Sequence, residues 1–140
     1  MSNLVMGLLV VQLVGGAYLF SFVLGAGQRH STARATRLPG LMVFIHAVLG
    51  VAAAGLWVAW LETGVAAIAW TTLGSLLLSV GGGLLMFART AGHEETVERF
   101  ATDPADVRVA EKQIPGVALV GHGLLALVLV VLVLLVALGA

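Results

Sequence analysis

Hydrophobic residues fall into four long runs, and nearly all strongly polar positions are gathered between them. The runs are Leu4–Gly25, Leu41–Leu61, Val65–Phe87 and Val117–Leu138, and every charged side chain lies outside them, with Glu62 between the second and third. A helix needs about 20 apolar residues to cross a bilayer's hydrocarbon core. Each run therefore predicts a membrane-spanning helix, and together they predict an all-α, polytopic four-helix bundle forming one domain over residues 1–140. The first run has no basic segment before it and stays apolar too long for a signal peptide, so it is read as a fourth membrane helix.

The connections predict how the helices are threaded. Helices 2 and 3 are separated only by Glu62-Thr63-Gly64, whereas the loops Ala26–Leu38 and Ala88–Ile114 are long. The first long loop carries Arg29, Arg34 and Arg37 with no acid, and the other carries Arg89, Arg99, Arg108 and Lys112. Basic loops are retained in the cytoplasm. Both long loops are thus expected inside a cell (inner) membrane and both termini outside. Trp57, Trp60 and Trp70 cluster beside the short outer link, as an interfacial aromatic belt would.

Composition narrows the chemistry. Residues are 60% hydrophobic and 10% charged, with a mean hydropathy of +1.09, too apolar for a soluble domain. No cysteine is present, which excludes disulfides, iron–sulfur clusters and thiolate metal sites. Seven basic and seven acidic side chains balance, so no basic face suits nucleic acid. Met6, Met42 and Met86 sit singly, against a copper path, and the apolar runs hold no carboxylate for a proton path.

Two histidines break the apolar pattern in matched places. The segments LPGLMVFIHAVL (38–49) and IPGVALVGHGLL (114–125) each open with Pro-Gly and place a histidine seven residues after the proline, Pro39 to His46 and Pro115 to His122. The copies are offset by 76 residues (115 − 39 and 122 − 46). They suggest two parallel-related helical hairpins, although Pro and Gly open many unrelated helices. Seven residues of helix rise about 10 Å, so both histidines lie at equal depth in the cytoplasmic half. An ionisable residue inside a membrane is costly and is a functional-site hypothesis by default.

In a bundle of sequential hairpins, helices 2 and 4 lie on a diagonal. Neighbouring axes about 8–10 Å apart make that diagonal about 11–14 Å, too far for the imidazoles to touch directly but suited to gripping a haem iron between them. His46 and His122 are the expected axial metal ligands. Small residues would make room for a macrocycle: Gly50 and Ala53 beside His46, Ala118, Ala126, Gly121 and Gly123 beside His122, and Gly81-Gly82-Gly83 on helix 3 at the same depth, Gly82 in its middle. Arg89 and Arg37, with Arg29 and Arg34 behind them, are candidates for the haem carboxylates. His30 and His93 lie in the inner loops, where single histidines are usually solvated. His93-Glu94-Glu95 matches no strong metal motif. The second long loop reads as a solvated connector or a partner-docking surface, with a helix start at Asp103-Pro104.

Matched histidines in a four-helix membrane bundle resemble the cytochrome b561-like proteins and other small membrane b-type cytochromes. The resemblance covers the four-helix layout, His46 and His122. It implies one haem b with two histidine ligands, electron transfer as the task, and a quinol or a larger membrane oxidoreductase as partner, with membrane lipid around the bundle or a second copy against it. Those families place more histidines on their helices, often enough for two haems. No nucleophile or paired carboxylate suggests a stand-alone enzyme. The alternative is a cofactor-free accessory subunit whose histidines hydrogen-bond between helices.

Overall fold

A computed structural model describes residues 1–24, 33–35, 38–91, 107–109 and 113–139. Four helices carry the fold: α1 (Ser2–Leu24), α2 (Gly40–Thr63), α3 (Ala66–Ala91) and α4 (Gly116–Ala137). All four are long and apolar enough to cross a membrane. Large exposed side chains such as Val14, Phe44, Leu78, Leu84 and Val117 coat the outside. Such a surface suits hydrocarbon and not water, and the chain has the build of a multi-pass membrane protein.

Helices that follow one another pack together, and α1 closes the ring against α4. The most extensive pairing is α2 with α3, and α2 and α4 stand on a diagonal as expected. Two short strands, β1 (Ala33–Ala35) and β2 (Val107–Val109), pair in parallel, with Arg34 opposite Arg108. The helical pattern gives no hint of this pairing. It draws the two long connections together at the end of the bundle opposite the α2–α3 link. His30, His93, Asp103 and Pro104 lie outside the described residues, with the rest of 25–32, 36–37, 92–106 and 110–112.

Local chemistry sets the helix ends. Pro39 and Pro115 cap α2 and α4 with the same backbone angles, φ −60° and ψ 124°. The Pro39 carbonyl accepts from the N–H groups of Met42 and Val43, and the Pro115 carbonyl from those of Ala118 and Leu119. Matched starts put His46 and His122 in the same helical register. At the other end of α2, Gly64 adopts φ 66°, a left-handed conformation that only glycine enters without cost, and its N–H reaches the Trp60 carbonyl at 2.8 Å.

Burial is uneven along the bundle. In the half nearest the α2–α3 link, Val5, Leu9, Ala53, Trp57, Leu73, Leu76, Leu129 and Val133 form a closed apolar core drawn from all four helices. Trp57 is fully buried there, stacked on Trp60 at 4.6 Å, and its indole N–H donates to the Ser2 carbonyl at 3.2 Å. This corrects the expected aromatic belt at Trp57, a core residue that ties α1 to α2; Trp70 is exposed, as a belt residue would be. The volume of an indole fills the gap where small residues such as Ala53 bring the helices close. Toward the strand end the packing is looser. His46, His122, Gly16 and Gly82 remain half-buried, and the buried helical side chains there are few, chiefly Val43 and Ser79.

Candidate functional site: a histidine pair between two glycine pairs

His46 projects from α2 and His122 from α4, each leaning on a different neighbour. The His46 ring lies on α3: a Cβ added at Gly83 would stand 3.3 Å from its Cε1, and one at Gly82 would stand 3.8 Å from Cβ and Nδ1. The His122 ring lies on α1: a Cβ at Gly16 would stand 3.2 Å from Cε1, and one at Gly15 would stand 3.5 Å from Nδ1. Alanine at Gly16 or Gly83 would therefore press on an imidazole. Glycine in a helix costs about 1 kcal/mol relative to alanine, and here close approach of a ring to the backbone offsets that cost.

Each ring also has a polar partner one turn away on the same supporting helix. His46 Nδ1 lies 2.8 Å from the Ser79 carbonyl and 3.2 Å from its Oγ, and Ser79 Oγ donates to the His46 carbonyl at 3.3 Å. A carbonyl can only accept, so Nδ1 carries the proton and Nε2 keeps its lone pair. His122 Nε2 meets the Gln12 amide nitrogen at 3.1 Å. Gln12 Oε1 and His122 Nδ1 are buried with no hydrogen-bond partner.

The two supports share one spacing: Gln12-x-x-Gly15-Gly16 on α1 and Ser79-x-x-Gly82-Gly83 on α3, offset by 67 residues (79 − 12 and 83 − 16). The histidines are offset by 76. The nine-residue difference equals the longer connection from α3 to α4 (116 − 91 = 25) than from α1 to α2 (40 − 24 = 16). The site thus has an approximate twofold arrangement, in which α3 cradles the histidine of α2 and α1 cradles the histidine of α4. Gln12, Gly15, Gly16 and Ser79 escaped the sequence reading. The repeated polar-x-x-Gly-Gly spacing could have found them.

Across the diagonal, the ring centroids are 6.3 Å apart with planes at 61°. The sequence reading held the rings too far apart to touch directly but spaced to grip an iron between them. Both side chains reach inward, and the glycine pairs let neighbouring helices close in. Two imidazole nitrogens each about 2 Å from one metal put ring centres roughly 6 Å apart, so the observed spacing suits a shared metal.

Other expected site residues are placed differently. Gly82, expected at the depth of the histidines as a cofactor contact, lies against the His46 side chain itself, with Gly83 closer still. Gly50 lies beside Leu13 of α1, where a Cβ would meet Leu13 Cδ2 at 3.9 Å, and it touches neither ring. Gly81, Gly121 and Gly123 have nothing within 4 Å of a would-be Cβ and lie on open surface. One residue along a helix turns a side chain by about 100°, which moves these glycines off the site face. Arg89 is exposed in the last turn of α3, and Arg37 lies outside the described residues. Among the described residues no group of three or more His, Asp or Glu side chains gathers to hold a metal ion. Two histidines are too few to close a site around a bare ion such as zinc, but they are the full protein share of a six-coordinate haem iron. No protein-family model, curated protein or solved structure matches the chain.

Proposed function

We propose that this chain is a small membrane b-type cytochrome that holds one haem b through His46 and His122. The observation that carries the reading is the placement of the four groups around the bundle axis. The histidines face each other along the α2–α4 diagonal at 6.3 Å, and the glycine pairs stand on α1 and α3, the other diagonal. The missing Cβ atoms let the imidazoles lie against α3 and α1, and the resulting ring spacing is the one two histidines sharing an iron would need. The Ser79 carbonyl orients His46 as an outer hydrogen-bond acceptor orients a metal-bound imidazole. The closed apolar core on one side of the layer excludes water from it.

Bound haem supplies a one-electron couple. The chain's own residues supply the ligands, their orientation and a dry surrounding, which together set the potential. The expected partner is a membrane quinol or a larger membrane oxidoreductase, with Arg89 and Arg37 as candidate contacts for the haem carboxylates. Cytoplasmic placement of the two basic loops in a cell (inner) membrane belongs to the same proposal.

The test is spectroscopic. Chain purified from haem-replete cells is expected to show sharp α and β bands on dithionite reduction, lost in His46→Ala and His122→Ala. A stable, colourless protein with no haem in a pyridine hemochromogen assay would refute the reading. That result would favour the second reading, a cofactor-free accessory subunit. The hydrogen bonds from His46 to the Ser79 carbonyl and from the Gln12 amide to His122 motivate it, since they satisfy both rings in part without a ligand.

A further inference from the structure

The two histidines are not held alike. The support of His46 is a backbone carbonyl, which no substitution removes, whereas the support of His122 is the side chain of Gln12. Gln12 occupies the same place before its glycine pair as Ser79 does before its own. Its amide is committed to His122 on one side and leaves Oε1 buried and unpartnered on the other. A half turn of the amide exchanges oxygen for nitrogen at the same position and presents an acceptor to His122 Nε2–H. The lone pair then belongs to Nδ1, the ring nitrogen that is buried without a partner. An unpaired polar atom in a low-dielectric interior is costly, and a metal bond removes that cost.

We infer that Gln12 is the positioning residue for His122: it fixes the ring's orientation and tautomer and so sets the strength of one of the two iron ligands. This rests on the haem reading above. An acceptor on the outer N–H makes an imidazole more electron-rich, which favours the ferric iron and lowers the potential. Removing the acceptor raises the potential, and a stronger acceptor lowers it further.

The experiment uses the full chain, purified with haem in detergent, as wild type, Gln12→Met, Gln12→Glu and Ser79→Ala. Midpoint potentials come from redox titration, and haem loss is followed by transfer to apomyoglobin. The potential is expected to rise in the order Gln12→Glu, wild type, Gln12→Met. Gln12→Met is expected to lower haem affinity by roughly 10–100-fold. Ser79→Ala keeps the carbonyl that holds His46 and should move the potential far less than Gln12→Met. Haem-loaded variants with the wild-type potential and rate of haem loss would overturn the role of Gln12 while leaving the cytochrome intact. If Gln12→Met does not accumulate, an unshifted Gln12→Glu potential alone overturns it. A wild-type chain without haem would overturn the underlying reading and this inference together.

Discussion

Alanine substitutions along the glycine run of α3 separate the site from its surroundings. Gly81→Ala adds a methyl group to open surface, because nothing lies within 4 Å of the new Cβ. It should gain helix propensity, about 1 kcal/mol at most by the aqueous scale. Gly83→Ala gains the same propensity but sets its Cβ 3.3 Å from His46 Cε1. The ring must then shift by a few tenths of an ångström. Overpacking of this kind costs about 1–3 kcal/mol, and the shift strains the 2.8 Å contact of Nδ1 with the Ser79 carbonyl, worth about 0.5–1.5 kcal/mol net. The two alanines should differ by roughly 2–3 kcal/mol, one on each side of wild type, or about 30–150-fold in the unfolding equilibrium. Unfolding in mixed micelles at rising sodium dodecyl sulfate fraction, followed by the fluorescence of buried Trp57, measures the difference. Gly16→Ala, at 3.2 Å from His122 Cε1, should behave like Gly83→Ala, and Gly50→Ala, at 3.9 Å from Leu13, like Gly81→Ala. Equal stability of the Gly81 and Gly83 variants would show that the rings do not rest on the glycines, and the proposed cradle would be wrong.

Trp57→Ala should cost about 3–5 kcal/mol by opening a cavity in the closed half of the bundle, while exposed Trp70→Ala should change bundle stability little in the same assay. Gly64→Ala forces a Cβ into the left-handed conformation at φ 66° and should lower stability by about 1–2 kcal/mol, visible as a reduced detergent midpoint. Ser75→Ala removes a hydroxyl that donates to the Leu49 carbonyl at 2.9 Å and should cost about 1 kcal/mol; no loss would mean that lipid or backbone adjustment replaces the bond. The chain lacks cysteine, so a single Glu62→Cys, exposed in the last turn of α2 beside the α2–α3 link, can be probed with a membrane-impermeant maleimide. Labelling in intact cells is expected, and labelling only after permeabilisation would invert the proposed orientation.

Four helices, their approximate ends and the short α2–α3 link follow from the sequence because a membrane span is a matter of length and apolarity within a single segment. The equal depth of His46 and His122 is equally local: the two Pro-Gly starts fix the register, and helix rise does the rest. What faces what is not local. α1, α2 and α4 are apolar almost all round, so no polar face marks the direction of their neighbours. α3 alone carries a polar stripe, Thr72, Ser75 and Ser79, that packs inward, and only the assembled bundle sends Trp57 into the core and Trp70 outward. The same holds for the glycines. Gly81, Gly82 and Gly83 are indistinguishable by composition, yet about 100° per residue turns the first to open surface and the other two to His46. Gly50 shares a helix with His46 but meets Leu13 of α1. Gln12 and Gly15-Gly16 belong to the site only because α1 closes the ring against α4, a contact between segments more than 100 residues apart (122 − 12 = 110). The sequence determined that two histidines share one level of the membrane. Tertiary packing decided that they meet at 6.3 Å between two glycine pairs, because helix rotation and ring closure depend on all four helices at once.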